Sequence, residues 1–108
     1  MNLCDSPFKA IKSGYKTIEM RLYDERRKLI NIGDTIEFTN LTTKETLTCL
    51  VKNLYRYNTF KELYSHHDKT TIGYKEDEKA NPDDMLIYYT KEKIAKYGVV
   101  GIEIELCK

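Results

Sequence analysis

The sequence predicts a mainly β, α+β fold in which short strands are interleaved with several short helices. Three observations lead there. Apolar and polar residues alternate with period two in four separate stretches, at 17–23, 35–38, 47–55 and 99–106. Helix start signals recur between those stretches, each a Ser, Thr or Asn with a proline or glutamate placed behind it or a helical pattern following. Finally, the 108 residues contain no linker, repeat or low-complexity tract, so one domain is expected over residues 1–108, with no room for separate catalytic and binding domains.

Taken in order, Ser6-Pro7 reads as an N-cap followed by proline at the first helical position, where the missing N–H costs nothing. Phe8 and Ile11 give this helix an apolar stripe, and Gly14 is placed to end it in the left-handed conformation. A strand over Thr17–Tyr23 follows at once. Ile18, Met20 and Leu22 form its apolar face, while Thr17, Glu19, Arg21 and Tyr23 share the opposite one. Lys16 falls at the corner between helix and strand, and corners of this kind line clefts. Residues Asp24–Lys28 read as a solvated loop or a single helical turn.

Gly33-Asp34 is a turn signal before a strand at Thr35–Phe38, and Asn40–Lys44 is turn-like. Leu47, Cys49 and Val51 resume the alternation in a strand expected to run on towards Tyr55. It should form a hairpin with the preceding strand, the two flanking the Thr17–Tyr23 strand. Thr59 and Glu62 make a capping box for a helix with Phe60, Leu63 and Tyr64 on its apolar side and His66 and His67 at its end. Adjacent histidines diverge on a helix, so no metal site is expected from them, and none elsewhere. Polar residues 68–80 predict a mobile loop. Asn81-Pro82 opens another helical turn, from which Met85, Tyr88 and Tyr89 are expected to cover the sheet, and Thr90 caps a last helix that Gly98 ends. Val100, Ile102, Ile104 and Leu106 then alternate so regularly that the final strand is expected at the centre of the sheet.

Composition narrows the function. A formal net charge of +1 excludes a protein that holds long nucleic acid mainly by neutralising phosphates. Residues 1–30 nevertheless carry seven Lys or Arg against four Asp or Glu, enough for a local basic patch. Nine tyrosines suit either a small core or a base-stacking cleft, and the core is the commoner use. Three widely spaced cysteines suggest neither a disulfide framework nor a zinc site. No apolar run approaches the roughly twenty residues of a membrane span, and the start lacks the apolar core of a signal peptide. A cytoplasmic location, no membrane association, no cofactor and a monomer are expected.

The stretch Gly14-Tyr15-Lys16-Thr17-Ile18-Glu19-Met20-Arg21 concentrates the chemistry. Glu19 and Arg21, two residues apart on a strand, aim an acceptor and a forked donor at one side of the sheet. The octet has the form GxKxxExR. With Pro7-Phe8-Lys9-Ala10-Ile11, Arg21–Arg27, Gly33-Asp34 and Tyr97–Ile102, it resembles the ASCH (activating signal cointegrator homology) superfamily, in particular its small stand-alone prokaryotic members. That resemblance implies a PUA-like β-barrel with short flanking helices and a cleft bordered by the motif that accepts RNA or a nucleoside. It also implies a strand before the first helix, for which only residues 1–5 are available. One similar branch hydrolyses the acetyl amide of N4-acetylcytidine with a lysine, a threonine and a glutamate. Lys16 matches the lysine, but Glu19 stands at the threonine position, and the branch's glutamate has no secure counterpart here.

A lysine stripped of water can act as a base or nucleophile, whereas one beside a carboxylate is an anion holder. With Glu19 nearby, Lys16 is expected to be the latter. The leading expectation is a module binding RNA or a modified nucleoside through Lys16, Thr17, Glu19 and Arg21, with a tyrosine as stacking surface. The alternative is a hydrolase, an amidohydrolase on a nucleoside amide or a ribonuclease, with Lys16 and Glu19 as catalytic residues. It would need a second carboxylate within reach of Lys16. A protein-interaction domain is a third possibility, marked by an exposed apolar patch instead of a polar cleft. A salt bridge from Glu19 that merely closes the barrel mouth would bind nothing.

Overall fold

The regular alternation of Val99–Leu106 builds the strand on which the rest of the sheet is laid. This strand, β5, pairs antiparallel with β4 (Thr46–Tyr57) on one side and with β2 (Ile18–Leu22) on the other. The computed structural model describes residues 1–107. Beyond β4 come β3 (Thr35–Asn40), joined to it as an antiparallel hairpin, and β1 (Asn2–Leu3), which runs parallel to β3, giving the order β1-β3-β4-β5-β2. The twelve-residue β4 shifts register against β5 between Val51 and Asn53, an irregularity of the kind that bends a strand and sharpens its twist. The sheet curls until its two edges approach, and Arg21 Nη2 on β2 donates to the Asn2 carbonyl on β1 at 2.9 Å. The result is a half-barrel with a seam between β1 and β2.

Parity explains the two cores. Phe8 and Ile11 of α1 (Asp5–Ser13) pack with Phe38, Cys49, Val51, Val100 and Ile102. Ile18, Met20, Leu22 and Val99 point the other way and are covered by Phe60 and Leu63 of α2 (Phe60–His66) and by Met85 of a short 3-10 helix, Pro82–Ile87. Partly buried Ile94 and Tyr97 of α3 (Lys91–Tyr97) close that layer. Glu19 lies opposite Ile102 in register and Arg21 opposite Val100, so both share the face of the first core. A strand covered on both faces places its polar residues out of water at the seam.

Several expectations are met by the caps. Gly14 is left-handed at φ 95° and its N–H donates to the Ile11 carbonyl, while Thr59, Asn81 and Thr90 each accept a backbone N–H of the helical turn that follows. Others need correction. Cys4, not Ser6, occupies the N-cap of α1 without a side-chain bond, and Pro7 sits in the first turn, where its missing N–H has no helical partner to lose. The β3–β4 hairpin does not flank β2, because β5 intervenes. Residues 68–80 are not a free loop: the Thr71 carbonyl accepts from the N–H of both Thr17 and Ile18 at 2.9 Å, and Ile72 is buried. One apolar side chain in a polar run is enough to anchor it, and Lys69 Nζ ties the rest by donating to the carbonyls of Glu76 and Glu78. Tyr88 does not cover the sheet but stands 54% exposed.

Candidate functional site

The site begins where α1 stops. After Gly14 the chain doubles back, the Lys16 N–H donating to the Ala10 carbonyl at 3.2 Å, so the lysine leaves the corner pointing under the 70–74 turn. Gly73 closes over it. A Cβ there would lie 3.2 Å from Lys16 Cδ, and the backbone φ of 114° disfavours any side chain, so a glycine is what lets the turn lie on the lysine stem. Lys16 is left only 7% exposed and Glu19 3%.

Glu19 is the centre of the arrangement. Its Oε1 pairs with Lys16 Nζ at 2.8 Å, and its Oε2 accepts from Arg21 Nε at 2.8 Å and lies 2.8 Å from Nη2 of the same guanidinium. Burial alone would raise the Glu19 pKa, but the charges and hydrogen bonds of Lys16 and Arg21 outweigh it, and the carboxyl is held below its ordinary value. Two cations against one anion leave the cluster with an excess positive charge. Donors also remain. Lys16 has three N–H groups and Arg21 five, and neither Lys16 Nζ beyond its Glu19 bond nor Arg21 Nη1 has another protein acceptor among the described residues.

These groups form the floor of a cleft of about 530 Å³, within the range of small-ligand sites. Asn2 to Cys4 border one side, and Tyr64, Tyr74, Tyr88 and Tyr89 with Asp84 line the other. Tyr64 and Tyr74 hydroxyls lie 2.9 Å apart, and the Tyr74 hydroxyl donates to Asp84 Oδ2 at 2.6 Å. Burial raises the pKa of all four phenols, reinforced at Tyr64 by its bond to Tyr74 and at Tyr74 by the bond to Asp84, so they present neutral rings. Leu41, Ile87 and Tyr88 make an exposed apolar rim. The arrangement can take a flat, partly apolar ligand against the rings while donating hydrogen bonds from below.

Lys16, Glu19 and Arg21 are thus brought together. Thr17 is not: it does not line the cleft, and its backbone is spent on Thr71 and Ile104. Gly73, Tyr74, Asp84 and Tyr88 were not anticipated as site residues, because each comes from a segment far along the chain whose local pattern carries no sign of the cleft. His66 and His67 sit beside Tyr57 and Tyr55 on the other side of α2, and among the described residues no group of three His, Cys, Asp or Glu is placed to hold a metal.

A curled five-stranded half-barrel with short helices around it is the small PUA-like architecture. The chain belongs to the ASCH domain family, whose model matches residues 1–108 and whose members generally bind RNA. It is similar to the crystal structure of a hypothetical protein, PH0355, with 33% identity, a TM-score of 0.83, and coverage of 99% of this chain and 96% of that one. It is also similar to the solution NMR structure of the protein PF0455 from Pyrococcus furiosus, with 33% identity, a TM-score of 0.75, and coverage of 100% and 96%. No curated protein matches the chain. Among the described residues no helix is long and apolar enough to cross a membrane.

Proposed function

We propose that this protein is a binding module for RNA or a modified nucleoside, seating one base in the cleft at the barrel seam. The observation that carries this reading is the buried Lys16–Glu19–Arg21 cluster with donors left over. A salt bridge serving only to close the seam would not need a second cation, and burying three charges is an expensive way to gain stability. Lys16 and Arg21 would donate to a base carbonyl or a phosphate oxygen, and Tyr88, standing at the rim, would stack on the base. Glu19 holds the two cations at fixed positions and keeps them from repelling one another.

The hydrolytic alternative is less favoured by the same geometry. Glu19 is the only carboxylate within 4.0 Å of Lys16 Nζ among the described residues, and both its oxygens are occupied by cations. Asp84, the other acid of the cleft, is engaged by Tyr74. A general base beside the lysine is therefore missing.

Titration of cytidine, N4-acetylcytidine and a short single-stranded RNA by calorimetry tests the reading. Lys16→Met and Tyr88→Ala should each weaken binding about tenfold or more, the loss expected for a charge-assisted bond or a stacked base. Tyr88 is exposed, so its variant separates ligand contact from folding. Unchanged affinity in both variants refutes the cleft as the binding site. Turnover of N4-acetylcytidine by the wild type, lost in Lys16→Met, would replace binding by hydrolysis.

A further inference from the structure

A second concave surface lies further along β2. Glu19 and Arg21 serve the cleft, and Tyr23, two residues and about 7 Å on along the same parity, lines a separate groove with Arg56, Tyr57, Glu62, Lys96 and Tyr97. The Arg56 guanidinium carbon is 4.1 Å from the centre of the Tyr23 ring. Arg56 is exposed and makes no hydrogen bond or salt bridge to any described residue, so all its donors are unspent while one face of the fork rests on the ring. Lys96 similarly lies 5.1 Å from the Tyr97 ring centre. Glu62 is the one acid among the groove residues, against two cations.

Register ties the groove to the cleft. Arg21 and Arg56 both pair with Val100, one from each side, so they stand on the same face of the sheet two strand spacings apart, about 10 Å. Between them Val100 is buried in the first core, so the path from cleft to groove runs not across the sheet but along its β2 edge, where Tyr23 follows Arg21 by two residues. A free nucleoside has no atoms to reach so far.

We propose that the Tyr23–Arg56 groove is a second subsite that takes the phosphodiester and neighbouring base of a single-stranded RNA whose first base occupies the cleft. The inference rests on the cleft reading and narrows it from a nucleoside to a strand. Arg56 donates to a phosphate oxygen with its free edge, and its open face stacks a base, the arrangement in which an arginine already seated on a ring is pre-oriented for both. Lys96 adds a second, looser phosphate contact at the groove's other wall.

The test compares a fluorescein-labelled single-stranded RNA octamer with cytidine, both titrated against wild type, Arg56→Ala, Arg56→Lys and Lys16→Met, each checked for folding by circular dichroism. Arg56→Ala should weaken the octamer about tenfold and lower the slope of log affinity against log salt by about 0.7 for one phosphate lost. Its affinity for cytidine, which has no phosphate, should be that of wild type. Arg56→Lys should restore the salt slope while recovering only part of the affinity, since the charge returns without the stacked fork. If Arg56→Ala leaves octamer affinity and slope unchanged while Lys16→Met weakens both ligands, the groove is refuted and the cleft stands. If Arg56→Ala weakens both ligands equally, Arg56 acts through the fold and the second subsite is again refuted. If Lys16→Met alters neither ligand, the cleft reading fails, and with it the path proposed between the two subsites.

Discussion

Glu19→Gln should be among the most damaging conservative substitutions in the protein. The amide is nearly isosteric, but it carries no charge and replaces one acceptor oxygen with a donor, so either Lys16 or one edge of Arg21 meets an N–H in place of an oxygen. The two cations then face each other without a counter-charge. An exposed pair would contribute about 0 to 1 kcal/mol. Here the Lys16 and Glu19 side chains are 7% and 4% exposed and Arg21 13%, which belongs to the other regime, where removing one partner of a buried pair costs about 3 to 5 kcal/mol. Against a total stability of about 5 to 15 kcal/mol for a domain of this size, at least about a fifth is lost. Equilibrium unfolding in urea at neutral pH reads this directly: the midpoint should fall by roughly 2 M at unchanged slope. Because folding lowers the Glu19 pKa, its contribution is complete above the unfolded-state carboxylate value and disappears as pH falls through the lower folded value. The wild type should therefore lose its advantage over the variant progressively as pH falls below the ordinary carboxylate range. A loss below about 1 kcal/mol at neutral pH would mean that the cluster is solvated in solution, and the account of a dry, pre-positioned floor would be wrong.

Two further outcomes follow from neighbouring features. Gly73→Ala places a Cβ 3.2 Å from Lys16 Cδ at a backbone φ of 114°; it should cost about 1 to 2 kcal/mol in urea unfolding and weaken ligand binding more than an alanine at exposed Glu76 of the same segment. His67 has its pKa lowered by burial and then by the charge of His66, partly offset by Glu103, and its Nε2 lies 2.9 Å from the Tyr57 hydroxyl. A lowered folded value means that its contribution is present above the unfolded-state histidine pKa of about 6.5 and is lost as pH falls through the folded value. His67→Gln should flatten the stability profile on acidification below the ordinary histidine range, and an unchanged profile would refute the assignment.

Local chemistry made most of the fold legible. Caps at Thr59, Asn81 and Thr90 and the stop at Gly14 act over three or four residues, so the chain announces them without knowledge of the rest. Val99–Leu106 announced itself as a strand through its alternating residues, and it lies inside the sheet, between β4 and β2. Strand order was less accessible: a hairpin predicts its own pairing, but nothing in β3 or β4 states that β5 comes between them and β2. The 68–80 segment misled because its composition is that of a loop, and its order depends on one buried isoleucine and a carbonyl that accepts two N–H groups from β2. At the site, the octet shows its three charged residues within six positions, whereas the walls that make them a cleft arrive from Asn2–Cys4, Tyr64 and residues 72–89. Thr17 belonged to the octet by sequence but not by direction, since its backbone is used in joining the turn and β5.

The seam itself is closed by a side chain and not by a ladder of backbone bonds. One guanidinium group grips both the acid on its own strand and the carbonyl of Asn2 on the opposite edge. Whatever pulls that group towards an incoming molecule also slackens the clasp on the N-terminal strand, which has only two residues of pairing to β3 to keep it in place. Occupation of the hollow and fraying of the chain's first residues are mechanically linked, so amide exchange around Leu3 is a natural gauge of whether anything has arrived.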